Sequence, residues 1–163
     1  MMDIIMVKSN TQIRETERLA DIVWHEHFNG IISLEQIEYM LEKFQSFNAI
    51  MAQIQDKYNY FLLVDNKLNI GYTSYKIIEN TLFLSKIYIL SEHRGKGHAK
   101  EAMEYLKKIA QAKSSTKIWL TVNQYNHSSI KAYEKMGFIN ARTQVADIGN
   151  GFFMEDYIME LTV

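Results

Sequence analysis

At 163 residues, 47% apolar and 23% charged, the chain is long enough to bury a core and has the balance of an ordinary globular domain. Its formal net charge of −1 carries no basic excess for general nucleic-acid binding, and the absence of cysteine excludes disulfides and thiolate metal sites. No apolar run approaches the roughly 18 residues of a membrane helix, and "MMDIIMVKSN" is too short for a signal peptide, so the expectation is a cytoplasmic protein without membrane segments.

Asp3–Val7 is a short apolar run that reads as the first strand. Gln12–Phe28 carries Ile13, Ala20, Val23, Trp24 and Phe28 near helical spacing. Ser33 with Gln36 resembles a capping box ahead of Ile37, Met40, Leu41 and Phe44, and Phe47–Gln55 reads as a third short helix. The period then changes. "YNYFLLV" and "IGYTSYKII" are strands around the turn "DNKLN", and "LFLSKIYIL" follows after "ENT". In that last strand Leu82 and Leu84 lie on one parity and Ile87 and Ile89 on the other, so the apolar face switches near Ser85–Lys86, as at a β-bulge.

Ala99–Ala112 reads as a helix with Ala102, Met103, Leu106, Ile109 and Ala110 on one face. "KIWLTV" is a nearly continuous apolar run of the kind buried in parallel sheets. "NHSSIKAYEKMG" reads as a helix capped by Asn126 and stopped at Gly137, and the remainder as two strands around Asn150–Gly151. The order β αα(α) βββ α β α ββ makes an α/β domain.

The segment "SEHRGKGHAKEAMEYL", Ser91–Leu106, sets a glycine-rich basic turn between a strand and a helix N-terminus. Free amides and the helix dipole favour an anion there, and glycines let consecutive amides converge on one phosphate. A Walker loop would need Ser or Thr after Gly-Lys, but "GKG" leads to His98. The plain alternative is a solvated basic turn that caps a helix.

"RGKGHA", Arg94–Ala99, resembles the R/Q-x-x-G-x-G/A signature of the GCN5-related N-acetyltransferases. "IWLTVNQYNHSSIKAYEKMGF", Ile118–Phe138, resembles the second hallmark of that family. The resemblance implies a mixed sheet of about seven strands, splayed between strands 4 and 5 with flanking helices, in one N-acetyltransferase domain over residues 1–163. Two departures stand in the loop: His98 replaces a more usual aliphatic residue, and Ala99 replaces the second glycine. His98 is expected to be exposed.

By the same resemblance the chain takes acetyl-CoA as co-substrate and needs no metal. The amides of Arg94, Gly95, Lys96, Gly97, His98 and Ala99 hold the diphosphate. Backbone of Ile87, Tyr88 and Ile89 holds the pantetheine arm, with a nearby amide for the oxyanion. Asn126 and Ser129 contact the same arm, and Tyr133 is the general acid for the leaving thiolate. The plain readings beside these are a buried strand for "IYI", a simple N-cap for Asn126 and a packed aromatic for Tyr133.

The base for the attacking amine stays open among Glu26, Glu155 and Asp156. In "WHEHF" the histidines His25 and His27 are two apart and point to opposite sides of a helix, which argues against a metal pair. The acceptor is expected to be a small-molecule primary amine. The resemblance extends to small bacterial diamine acetyltransferases, so a polyamine in a carboxylate-lined cleft fits, with Glu35, Glu38 and Glu42 and the "MEDY" segment to supply it. The competing readings are acetylation of a peptide amine and a non-catalytic acyl-CoA sensor. An exposed edge strand near the C-terminus would allow a homodimer.

Overall fold

Three serines start the three helices of the N-terminal half. Ser9 caps α1 (Asn10–His27), accepting from the Gln12 amide at 3.2 Å while Gln12 Oε1 accepts from the Ser9 amide at 3.0 Å. Ser33 caps α2 (Leu34–Phe44) through the Gln36 amide, and Ser46 caps α3 (Phe47–Gln55) through the Ala49 amide. This computed structural model describes residues 2–163.

The strands are β1 (Asp3–Met6), β2 (Asn59–Asp65), β3 (Leu68–Ile78), β4 (Thr81–Ile89), β5 (Lys117–Asn123), β6 (Ile139–Gly149) and β7 (Phe152–Thr162). They form one mixed sheet in the order β1-β2-β3-β4-β5-β7-β6, the seven-stranded α/β arrangement expected. The remaining helices are α4 (His98–Ala112) and α5 (His127–Lys135), with a 3-10 turn at Ser91–His93. The described chain packs as two units, and β4 changes unit between Leu84 and Ser85. The face switch expected near Ser85–Lys86 is not found there, because Lys86 is buried on the same parity as Leu82 and Leu84.

The first unit comprises the residues up to Lys76 with Ser85–Leu106. The apolar stripe of α1 buries Ile13, Leu19, Ala20, Val23 and Trp24. Asn66 and Lys67 both adopt positive φ, which turns β2 tightly into β3. Met2, Leu63, Ile70, Ile89 and Ala102 form a core cluster, with Ile4, Ile87 and Ala99 packed against it. Gly71 is obligatory here, because a Cβ on it would stand 2.1 Å from the Tyr88 carbonyl oxygen.

The second unit comprises Ile77–Leu84 with Lys107–Val163. Here β4 and β5 run parallel over three pairs, Thr81 to Phe83 against Lys117 to Trp119. The ladder stops there, although β4 continues to Ile89 and β5 to Asn123. The antiparallel strands β5, β7 and β6 complete it, and β6 turns into β7 through left-handed Asn150 and Gly151. Leu82, Ile118, Leu120 and Met159 are its largest fully buried side chains.

Candidate functional site

In the first unit, β4 delivers Ile87, Tyr88 and Ile89 directly into the basic turn. Ile87 and Ile89 belong to the apolar cluster with Ala99 and Ala102, so their side chains are structural. Tyr88 turns to the opposite face and packs on Tyr72, His27 and Trp24, with ring centroids 5.5, 5.7 and 6.1 Å away. Arg94 folds back, its Nε donating to the Ile89 carbonyl at 2.9 Å.

The loop itself is open. The Arg94 amide bonds Ser91 O, and the next backbone-bonded amide is Glu101, which donates to Gly97 O at 3.0 Å. The amides of residues 95 to 100 have no backbone partner among the described residues. Gly95 and Gly97 sit at φ of 76° and 85°, with nothing within 4 Å of where a Cβ would project. Consecutive free amides beside left-handed glycines at the start of a 15-residue helix make an anion nest.

His98 departs from expectation. It is not exposed: its ring is tucked toward Asp65 at the end of β2, Nε2 lying 3.6 Å from Oδ2. Only its amide faces the loop's task. Glu26, one of the three base candidates, is also committed elsewhere. Its carboxylate accepts from the Ser91 amide at 3.2 Å and the Ser91 hydroxyl at 2.7 Å, bracing the 3-10 turn against α1.

His25 and His27 separate as their spacing demands. His25 bridges Asp21 O and Glu38. His27 lies edge-on to Phe28 and Tyr88, and burial with the nearby Arg94 charge pushes its pKa down to about 4. The acidic face of α2 is only partly as foreseen. A groove of about 380 Å³ between α1 and α2 is lined by Glu17, Asp21, Glu38 and Glu42, but also by Arg14 and Arg18, and Glu35 is absent from it.

In the second unit, Asn126, Ser129 and Tyr133 fall on one helix. Asn126 is 4% exposed and caps α5, its Oδ1 accepting from the Ser129 amide at 3.4 Å. Tyr133 stands edge-on to Phe138 with ring centroids 5.7 Å apart. Its hydroxyl has no hydrogen bond among the described residues, and burial pushes its pKa up to about 12.

The other two base candidates lie side by side on β7 and differ sharply. Glu155 is exposed and hydrogen-bonded to the Tyr125 hydroxyl. Asp156 is buried, and burial alone pushes its carboxyl up to about 6.

Sequence reasoning missed Lys86. It is 7% exposed, and its Nζ reaches Gln53 Oε1 at 2.6 Å and the Tyr60 hydroxyl at 2.5 Å. The available signal was its parity, since Lys86 continues the inward alternation of Leu82 and Leu84.

Residues 17–138 match the acetyltransferase (GNAT) family. Over 137 residues the chain is 26% identical to the uncharacterized N-acetyltransferase YobR of Bacillus subtilis (strain 168), an overlap of 82% of this chain and 53% of that protein. The chain thus spans about half the length of this curated relative. Among solved structures, the PaiA N-acetyltransferase of Thermoplasma acidophilum in complex with coenzyme A superimposes with a TM-score of 0.83 at 24% identity, over 100% of this chain and 99% of that one. The ribosomal-protein-S18-alanine N-acetyltransferase of Escherichia coli gives 0.71 at 18% identity, over 100% and 94%. Both likenesses are of fold.

Proposed function

Since the chain belongs to the acetyltransferase (GNAT) family, we propose that it transfers the acetyl group of acetyl-CoA to a primary amine of a small molecule by direct attack. The observation that carries this reading is the run of amides from 95 to 100 without a backbone partner among the described residues, opened by two left-handed glycines at the head of α4. Such a nest suits a diphosphate, which coenzyme A carries, and Lys96 and Lys100 add charge beside it. Backbone of Ile87, Tyr88 and Ile89 takes the pantetheine arm, with Asn126 and Ser129 as further contacts to it.

The amine nitrogen forms the new C–N bond, the C–S bond breaks, and the departing sulfur needs a proton. Tyr133 supplies it. A phenol held at about 12 stays protonated throughout the neutral range, so the donor is always loaded. A thiolate of pKa about 8.5 is a weaker base than that phenolate. The donated hydrogen bond therefore strengthens as charge grows on sulfur, and the proton is shared rather than released early.

Two copies of the chain are proposed to pair through β6, the edge strand at the C-terminal end of the sheet, where Ile139 and Val145 expose apolar side chains. Calorimetry with coenzyme A and thiol release from acetyl-CoA over a panel of primary amines test the enzymatic reading. Coenzyme A binding in the micromolar range with amine-dependent thiol release is the expected result. No heat with coenzyme A would sink the donor assignment.

A further inference from the structure

An amine acceptor arrives in neutral water as an ammonium ion, and the second unit holds a carboxylate whose buried oxygen has no partner among the described residues. Asp156 lies within β7 at 7% exposure. Its antiparallel partners are Asn123 on β5 and Gln144 on β6. Opposed residues share a face, so the carboxylate stands between two amide side chains, on the face that also carries Met154 and Ile158.

Neither amide satisfies it. Asn123 uses its Oδ1 to accept from the Tyr125 amide at 2.9 Å, and its Nδ2 lies 3.9 Å from Met154 Sδ. Gln144 makes no hydrogen bond to it. Oδ1 of Asp156 is fully buried and accepts no hydrogen bond among the described residues, and no Lys, Arg or His pairs with the carboxylate.

The charged groups on this face of β5, β6 and β7 are Lys117, Arg142 and Glu160. Lys117 and Glu160 lie toward the far end of the β5–β7 ladder, while Arg142 stands opposite Ile158, the next residue along this face from Asp156, and turns to Glu160. Both cations are engaged by the one carboxylate, with Lys117 Nζ 2.6 Å and Arg142 3.7 Å from Glu160. Beside Asp156 on β7, Glu155 holds Tyr125.

A buried carboxylate without a partner opposes folding. The cost is removed if the partner comes with the substrate. We propose that Asp156 receives the ammonium group of the acceptor amine and takes the first proton that the nitrogen loses. This assignment rests on the acetyl-transfer reading above. β5 ends opposite Asp156, and the chain turns there into α5, which carries Tyr133.

In the balanced reaction the ammonium gives one proton to the Asp156 carboxylate, and the freed lone pair forms the C–N bond. The C–S bond breaks, and the thiolate takes the phenol proton. The second nitrogen proton restores the phenol through solvent, and the Asp156 carboxyl releases its proton to water. Its position near 6 makes Asp156 a stronger base than an ordinary aspartate, while it remains ionised at neutral pH.

The test compares the full chain with Asp156→Asn. Thiol release is followed with butylamine, 1,4-diaminobutane, spermidine and a glycyl peptide from about pH 5 to about pH 9, beside coenzyme A calorimetry and thermal melting. The expected variant binds coenzyme A as the wild type does and melts no lower. Its kcat/KM for the amine falls by about a hundredfold or more, and the acidic limb near pH 6 disappears. If the variant keeps kcat/KM within about threefold of the wild type, the assignment is overturned and the acetyl-transfer reading is not. Should the Asn variant melt low, Asp156→Ala with added formate decides: restored turnover supports the assignment, and no restoration overturns it. A wild type that binds coenzyme A but acetylates no amine overturns the enzymatic reading itself, and Asp156 with it.

Discussion

Lys86 Nζ donates to the Tyr60 hydroxyl at 2.5 Å and to Gln53 Oε1 at 2.6 Å, and Tyr60 donates in turn to Gln53 Oε1 at 2.5 Å. This closed triangle contains no carboxylate. A neutral amine has two N–H groups and satisfies both acceptors, whereas an ammonium would leave a third N–H unpaired. Burial accordingly pushes Lys86 from 10.5 down to about 7, and it pushes the Tyr60 phenol far up.

A sign follows for stability. The folded state resists protonation of Lys86 and the unfolded chain does not, so the amine opposes folding in full below about pH 7. That opposition fades as pH rises from about 7 to about 10.5. Urea midpoints of the wild type should rise across this window. Lys86→Met should flatten that rise and stabilise the protein at pH 7, by on the order of 4 kcal/mol at most. A Met variant less stable than wild type at pH 7 would show that the triangle contributes more than the buried amine costs.

Gly71 should tolerate no side chain. Its missing Cβ leaves room for the Tyr88 carbonyl oxygen, which would otherwise lie 2.1 Å away, and the obstacle is backbone rather than a flexible side chain. Gly71→Ala must push β3 from β4 and is expected to cost about 1–3 kcal/mol or more. Thermal unfolding measures it, and a melting temperature within a degree or so of wild type would contradict the close approach.

Gly97 predicts the reverse pattern. Space beside it is open, so Gly97→Val adds only the strain of a left-handed β-branched residue, on the order of 1–2 kcal/mol. The same side chain would stand where a diphosphate approaches the free amides. Calorimetry should show coenzyme A bound about tenfold more weakly or worse, a loss of about 1.4 kcal/mol. Unchanged affinity would move the anion away from this loop.

Tyr133→Phe removes only the hydroxyl from a residue whose ring packs on Phe138. Coenzyme A affinity and melting temperature should hold, while kcat falls by about 10²-fold or more. Because burial holds the phenol up to about 12, the wild-type profile should show no alkaline loss from this group below about pH 11. A descending limb near pH 10 that vanishes in the Phe variant would mean that the phenol is less buried than described.

The helices and strands were readable because their signals are local. Ser33 with Gln36 announced α2, and α1 and α4 begin within two residues of their expected starts. The caps Ser9 and Ser46 were equally local but were passed over. Glycines Gly95 and Gly97 marked the open loop, since only left-handed residues leave consecutive amides pointing outward. Other features depend on residues far apart in the chain. Lys86 meets Gln53 and Tyr60 across 33 and 26 positions, and Glu26 meets Ser91 across 65. His98 was expected at the surface because its sequence neighbours are polar, yet the end of β2 brings Asp65 to it.

The order of residues by itself settled the α/β alternation, the glycine-rich turn at the head of α4 and the tyrosine on α5, because hydrophobic period, capping and left-handed glycines act over a few neighbouring positions. Which carboxylate stands free was decided only by tertiary structure. Glu26, Glu155 and Asp156 are equivalent as letters. Folding gives Glu26 to Ser91 and Glu155 to Tyr125, and it places Asp156 between two amides that do not bond it. Desolvation and the supply of hydrogen-bond partners are properties of the packed surroundings, and these are assembled from strands and helices that the chain order keeps apart.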